Sequence, residues 1–248
     1  GEVEPRRALR IKLGEALRNA GRGAEAAREY LGAAEGALAD QRLDLRRLAA
    51  EQLLASGHLD EGKLVIREVL SSVGLRFFES PWLVLASLLS HRALIGLHAL
   101  RPAAPPPGAL PPELRRRMEV CWSAALGLSM TDTFWGAEFH SRYLLMALRA
   151  GDPYHLARGY AADIGPSATD AARGRRRAEG AHRRALAVAT AVGDPYLIAY
   201  CSFWMGFADC LTGRFAEALA RCQEAEALWV ERHAGVDAAA QVGLGGVG

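Results

Sequence analysis

Histidine and cysteine, the side chains most often found in metal sites and nucleophilic centres, are scattered along this chain. His91 and His140 lie in apolar stretches, and neither has a second ligand one helical turn away. No CxxC pair, which would indicate a zinc or redox site, is present. We therefore predict no metal site, and we interpret the cysteines as small apolar core residues in a reducing compartment. The four cysteines are Cys121, Cys201, Cys210 and Cys222.

Two aspartates that could act as general bases have a structural explanation. Asp152 and Asp194 both stand in the sequence Gly-Asp-Pro-Tyr, in which glycine ends one helix, aspartate caps the next and proline occupies its first turn. The chain has no P-loop, HExxH, GxSxG or protein-kinase motif. The run at 243–248 spells GxGxxG, but a dinucleotide site needs a helix after that motif. We predict no catalytic residue and no cofactor.

The elements that organise the chain are repeated pairs of amphipathic helices. In the unit at 44–75, small or apolar residues step by three and four from Leu59 to Val73, which keeps them on one helix face. A motif of glycine, a polar residue, two spacers, glutamate and a small residue recurs at 21–26, 57–62 and 213–218. The first two copies are 36 residues apart, close to the period of about 34 residues of helix–turn–helix repeats.

This pattern predicts an all-α fold, an α-α superhelix of antiparallel helical hairpins. The segment 101–112 has six prolines in twelve residues, which disfavours a helix and predicts an extended linker. The predicted domains are a helical-repeat half at 1–100, the linker at 101–112, a second half at 113–235 and a flexible tail at 236–248. The predicted helices are 6–20, 23–39, 42–56, 59–73, 81–100, 113–130, 134–150, 154–165, 175–192, 196–212 and 215–233.

Membrane and nucleic-acid partners are disfavoured by charge. The most apolar segment, 81–100, has the length of a membrane span, but Arg92 at its centre would be costly in lipid. We interpret this segment as a buried core helix. The net charge is +2 at pH 7, so no overall field favours nucleic acid. We interpret the arginine clusters at 115–117 and 173–177 as solvated helix starts rather than phosphate-binding sites, because no aromatic residues alternate with them.

Residues 13–34 resemble a tetratricopeptide repeat, which carries small residues where the two helices of a hairpin cross and larger ones beside them. The last repeat departs from the pattern at Asp209, where the first two have Leu17 and Leu53. In this family the first helix of each hairpin lines a groove that often binds an extended peptide. The matching positions of the first repeat are Leu13, Gly14, Leu17, Ala26, Tyr30 and Ala33.

This resemblance implies a candidate peptide groove. The family's version that binds a terminal carboxylate needs a lysine and an asparagine one turn apart, but those positions hold Ile11 and Glu15, which argues against that version. The aromatic residues of the groove either anchor a ligand or form a packing face, and the sequence leaves both interpretations open. The candidate groove residues are Glu15, Arg18, Asn19, Asp44, Arg47, Glu51, Tyr200, Phe203 and Phe207.

Segments 47–75, 111–154 and 211–229 are similar to the helical C-terminal region of large bacterial kinases that join a serine/threonine protein kinase domain to an AAA-type ATPase module. The resemblance covers residues 5–235. It implies that this chain is a fragment of a cytoplasmic signalling protein whose catalytic domain lies elsewhere. We therefore expect a non-catalytic protein–protein interaction module that binds a protein or peptide segment. The alternative is an intramolecular regulatory arm or spacer that packs on the kinase or ATPase domains of its own parent chain.

Overall fold

The computed structural model describes residues 3–98, 110–129, 131–169 and 173–244, with side chains from residue 4 to residue 230. Helices and turns account for this part of the chain, which contains no strand. The predicted all-α fold of helical hairpins is therefore confirmed. The helices are α1 Val3–Asn19, α2 Gly23–Ala34, α3 Ala39–Ala55, α4 Leu59–Ser72, α5 Pro81–His98, α6 Pro112–Ser129, α7 Thr133–Ala150, α8 Pro153–Ala162, α9 Ile164–Ser167, α10 Gly174–Val192, α11 Pro195–Leu211 and α12 Phe215–Leu244.

The turn of each repeated motif depends on its first glycine. Gly21, Gly57 and Gly213 have φ angles of +74°, +85° and +79°, a left-handed conformation that side chains with a Cβ rarely adopt. Each glycine joins two helices that pack on each other, α1 with α2, α3 with α4 and α11 with α12. The recurring glycine therefore marks the turn of a hairpin, as the repeat predicts.

One compact unit comprises α1 to α6 and α7 through Met146. The sequence predicts a division at the proline-rich linker. The first unit instead continues past the linker, because α6 packs against α3. The approach is close, since a Cβ on Gly127 of α6 would lie 2.8 Å from Cβ of Leu54. Of the predicted linker, residues 101–109 lie outside the described part of the chain.

The second compact unit begins at Ala147 and contains α8 to α12. Within it, α8 packs on α10, α10 on α11, and α11 on α12. Helix α12 runs to Leu244, whereas the sequence predicts a flexible tail from residue 236. The run of alanines at 238–240 is consistent with this extension, because alanine has the highest helix propensity. The last four residues, 245–248, lie outside the described part.

Burial corrects two expectations from the sequence. Helix α5 is not a buried core helix, because Val84 is its one buried residue and its outer side is exposed. The interpretation of the cysteines as core residues holds for Cys121 and Cys201 and is wrong for Cys210 and Cys222, which are exposed. Burial raises the pKa of both Cys121 and Cys201 to about 12, so neither is a reactive thiolate. No helix in the described ranges is long and apolar enough to cross a bilayer.

The two Gly-Asp-Pro-Tyr motifs are helix starts, as predicted. Oδ1 of Asp152 accepts a hydrogen bond from the backbone N–H of His155 at 2.9 Å. Oδ1 of Asp194 accepts one from the backbone N–H of Tyr196, also at 2.9 Å. Helices α8 and α11 begin at the following prolines. Both aspartates are thus structural caps.

Replacing either cap with alanine should lower the free energy of unfolding by about 1 kcal/mol, because one N-terminal N–H loses its acceptor. Asp152→Ala and Asp194→Ala can be measured by urea unfolding followed by circular dichroism. The matched controls Asp152→Ser and Asp194→Ser keep an acceptor oxygen and should stay within a few tenths of a kcal/mol of the parent. Equal losses for serine and alanine would contradict the capping role.

Candidate functional site

Six of the nine candidate groove residues belong to the first unit, and we call the surface that they form the polar face. Burial raises the pKa of the Tyr30 phenol, and the charges of Arg18, Glu15 and Glu51 shift this pKa to a smaller extent. These three residues come from α1 and α3, so charges of both helices act on the same phenol. The polar face consists of Glu15, Arg18 and Asn19 of α1, Asp44, Arg47 and Glu51 of α3, and Tyr30 beneath them.

The small residue at the start of the repeat places Tyr30 under this face. A Cβ on Gly14 would lie 2.7 Å from Cε1 of Tyr30 and 3.0 Å from Cδ1, so only glycine lets the ring lie against α1. The Tyr30 side chain is fully buried. Its hydroxyl has no hydrogen-bond partner within the described part of the protein, which is a costly arrangement for a buried donor.

The α3 part of the polar face is held by α6. Nη1 of Arg47 donates to Oγ of Ser123 at 2.7 Å, and this hydroxyl donates to Oε2 of Glu51 at 2.8 Å. Arg47 also lies 3.8 Å from Glu51 and 3.7 Å from Asp44. Ser123 is fully buried, so the network fixes the Arg47 and Glu51 side chains in one orientation. The sequence gives no sign of Ser123, because this contact spans 76 residues.

The exposed part of the polar face comes from α1. Glu15, Arg18 and Asn19 are all exposed to solvent, and Asp44 of α3 is exposed as well. The face therefore combines an ordered half on α3 with an accessible half on α1. Side chains of both signs lie on it, which suits recognition of a specific polar segment better than capture of a highly charged polymer.

A pocket of about 230 Å³ beside the start of α1 is lined by arginines and by the end of α2. Arg7 is buried, its Nε donates to the carbonyl of Ala33 at 3.2 Å, and its Nη1 lies 2.6 Å from Glu4. Arg10 lies 3.9 Å from Glu29. Cations at the carboxyl end of a helix are favoured by the helix dipole, so Arg7 caps α2, and the charges of Arg7 and Arg10 are already matched by glutamates.

A buried charged cluster joins α5, α7 and the segment between α4 and α5. Oε1 of Glu138 accepts from Nε of Arg142 at 2.5 Å and from Oγ of Ser87 at 2.6 Å. Nη1 of Arg142 donates to the Arg76 carbonyl at 2.6 Å. The guanidinium lies 5.0 Å from the ring centroid of Phe78. This cluster was not predicted from the sequence, although a Glu/Arg pair at i,i+4 within an apolar helix could have indicated it.

The other three candidate groove residues belong to the second unit and lie along α11. Tyr200 is 8% exposed, stacks 5.8 Å from Tyr196 and 6.4 Å from Phe203, and has its pKa raised mainly by burial. Trp229 of α12 lies 5.8 Å from Phe203. These contacts support the packing interpretation for Tyr200 and Phe203. Phe207, which is 38% exposed, is the member of the trio that a ligand can reach most easily.

No group of three or more histidine, cysteine, aspartate or glutamate side chains in the described ranges is arranged to hold a metal ion. Comparison of the chain with protein-family models, with curated proteins and with solved structures finds no match. The functional assignment therefore depends on the chain's own motifs and on the geometry of its surfaces.

Proposed function

We propose that this chain is a non-catalytic helical-repeat module that binds a polar protein segment across the polar face. The observation that carries the proposal is the hydrogen-bond network of Arg47, Ser123 and Glu51, which holds charges of both signs in one orientation on α3. The exposed Glu15, Arg18 and Asn19 of α1 add donors and acceptors that a peptide can reach. A segment lying across this face can therefore pair with both kinds of charge.

The chemistry of the ligand follows from the charges on this face. Arg18 and Asn19 are exposed donors, and Glu15 and Asp44 are exposed acceptors. A segment with carboxylate, amide and basic side chains would find complementary partners, whereas a segment of one charge sign would meet repulsion. The binding partner is therefore an extended peptide of mixed charge.

The cellular setting is part of the same proposal. The similarity to the helical region of bacterial serine/threonine kinases supports a role in signalling, with the partner segment on another protein. Four free cysteines, two of them exposed, support a reducing compartment such as the cytoplasm. In the regulatory-arm alternative the segment comes from the kinase or ATPase domains of the parent chain, and the polar face is again the surface that binds it.

Selection from a displayed library of random peptides tests the proposal. Peptides enriched on the parent chain should be mixed in charge and should bind Arg18→Ala about tenfold more weakly, since an arginine that anchors a peptide contributes on the order of 1–2 kcal/mol. Tyr30→Phe should leave their affinity unchanged, because the buried phenol is out of reach of a peptide on the surface. In the unbound protein this change should leave the free energy of unfolding unchanged or raise it by up to about 1 kcal/mol, because a buried unpaired donor is removed.

Arg28→Ala is the matched control, because Arg28 is exposed on α2 and is not one of the polar-face residues. It should leave peptide binding unchanged. If no peptide is enriched on the parent relative to a Glu15→Arg/Arg18→Glu variant, the proposal fails. It also fails if Arg18→Ala binds the selected peptides as tightly as the parent does.

A further inference from the structure

Helix α5 presents a continuous apolar face to solvent, which we call the α5 face. Five large apolar side chains on it are 40% to 79% exposed. They expose roughly 600 Å² in total, which is as large as the largest apolar patches on monomeric proteins. Between them lie Ala86, Ser90 and Ala93, which are also exposed. The five large side chains are Trp82, Leu83, Leu89, Leu94 and Leu97.

The opposite side of α5 is fixed to its own unit, so the α5 face is held in one orientation. Val84 is buried, and Oγ of Ser87 donates to the buried carboxylate of Glu138 at 2.6 Å. Nδ1 of His91 lies 3.7 Å from the same carboxylate. Val84 and His91 lie on the side of the helix opposite Ala86 and Ala93, and Ser87 lies at the edge between the two sides, at 3.6 residues per turn. Rotation of α5 to bury its apolar face would break these contacts.

In the described ranges, helix α5 is not followed after a short turn by a second helix. Helices α1, α3 and α11 are each followed, after a short turn, by a helix that packs on them. After α5 the sequence instead continues into a proline-rich segment, at 101–112, and proline cannot continue a helix. The large apolar side chains that a hairpin partner would cover are exposed.

We propose that the α5 face pairs with the α5 face of a second copy of this chain, antiparallel and about a two-fold axis near Ser90. Leu83 and Leu97 are each seven residues from Ser90, about 10 Å along the helix. Such an axis therefore brings Leu83 of one chain beside Leu97 of the other. The small residues Ala86, Ser90 and Ala93 occupy the centre of the seam, where they let two helices approach closely.

Polarity and area both fit a second copy as the occupant. Oγ of Ser90 donates to the carbonyl of Ser87 at 2.7 Å, so it needs no partner across the seam. The α5 face carries no charged residue between Trp82 and Leu97 on its exposed side, and it is therefore complementary to itself. Complete burial of these side chains on both faces would remove at most roughly 1,200 Å² from water, the lower end of the range for stable interfaces. This pairing is independent of peptide binding on the polar face.

Analytical ultracentrifugation of the whole chain over a range of concentrations tests the pairing. The parent should be a dimer with a dissociation constant in roughly the micromolar range. Ala93→Glu should weaken it at least a hundredfold, because the seam would bury two unpaired carboxylates. Leu38→Glu is the matched control: Leu38 is 80% exposed outside α5, and the dimer should persist. Circular dichroism should show the same helix content in all three proteins.

Cysteine cross-linking tests the direction of the pair, in a background where the exposed Cys210 and Cys222 are changed to serine. Leu83→Cys mixed with Leu97→Cys should form a disulfide-linked heterodimer, whereas each variant alone should stay uncross-linked. Self-linking of each single variant would indicate a parallel pair and would overturn the proposed geometry. A parent that stays monomeric at about 100 µM, or a dimer that Ala93→Glu leaves intact, would overturn the proposal itself.

Discussion

Arg142→Ala should lower the free energy of unfolding of the first unit by about 3–5 kcal/mol, the range seen when one partner of a buried ion pair is removed. Arg142 is 9% exposed and Glu138 is 2% exposed. Without the guanidinium, the Glu138 carboxylate keeps the Ser87 hydroxyl and loses its strongest donor. The carbonyl of Arg76 also loses its donor, and the Phe78 ring loses a cation above its face.

Urea unfolding followed by tryptophan fluorescence measures this loss, since Trp122 and Trp135 lie on α6 and α7 of the same unit. The double variant Glu138→Leu/Arg142→Met should be less destabilised than Arg142→Ala alone, because no uncompensated charge remains buried. Arg175→Ala is a matched control from an exposed i,i+4 pair with Glu179, and it should hardly shift the unfolding midpoint. A loss for Arg142→Ala as small as that of Arg175→Ala would show that the cluster is not a buried charge site.

The same cluster has consequences for α5. Ser87 and His91 of α5 both approach Glu138, so the charge cluster is what orients the α5 face. Arg142→Ala should therefore loosen α5 along with the segment that carries Phe77 and Phe78. Hydrogen exchange of the α5 amides should become faster in this variant, and dimerisation through the α5 face should weaken in parallel if the pairing proposal is correct.

Local signals in the sequence predict the helices and their ends well. Gly57 and the Asp152-Pro153 pair act on the chain within one turn, so their effect does not depend on the rest of the fold. Most predicted helix bounds agree with the structure to within three residues. One exception is α2, which ends at Ala34 rather than residue 39, because Gly36 takes a left-handed turn with φ of +65°.

Contacts between distant segments could not be predicted from the same signals. The packing of α6 on α3 joins Gly127 to Leu54, and no periodicity in either helix specifies that partner. The exposure of Trp82 was not predicted either, because a strongly apolar helix indicates a buried core when no partner is known. The candidate groove was assigned by position within the repeat. Position within the repeat is consistent with the exposure of Glu15 and Arg18. It could not show that Tyr200 is buried among other aromatic rings.

Asp209 shows how a departure from the repeat can carry structural information. The first two repeats have Leu17 and Leu53 at this position, whereas the aspartate of the last repeat is 2% exposed. Nε of Arg221 donates to its Oδ2 at 3.0 Å, and Nε of Arg214 lies 3.4 Å from its Oδ1. The backbone N–H of Arg214 also donates to the Asp209 carbonyl at 2.8 Å. The ion pairs thus link the end of α11 to the start of α12.

Asp209→Ala should lower the free energy of unfolding of the second unit by about 2–3 kcal/mol, through the loss of two charge-assisted contacts and a small cavity. The loss is smaller than at Arg142, because the Arg214 and Arg221 side chains are 29% and 37% exposed and can turn to water. Urea unfolding followed by the fluorescence of Trp204 and Trp229 measures it. Asp209→Leu restores the residue of the other repeats and fills the cavity, so it should be less damaging than alanine yet below the parent. A leucine variant more stable than the parent would show that the desolvation cost of the buried aspartate exceeds what its arginines contribute.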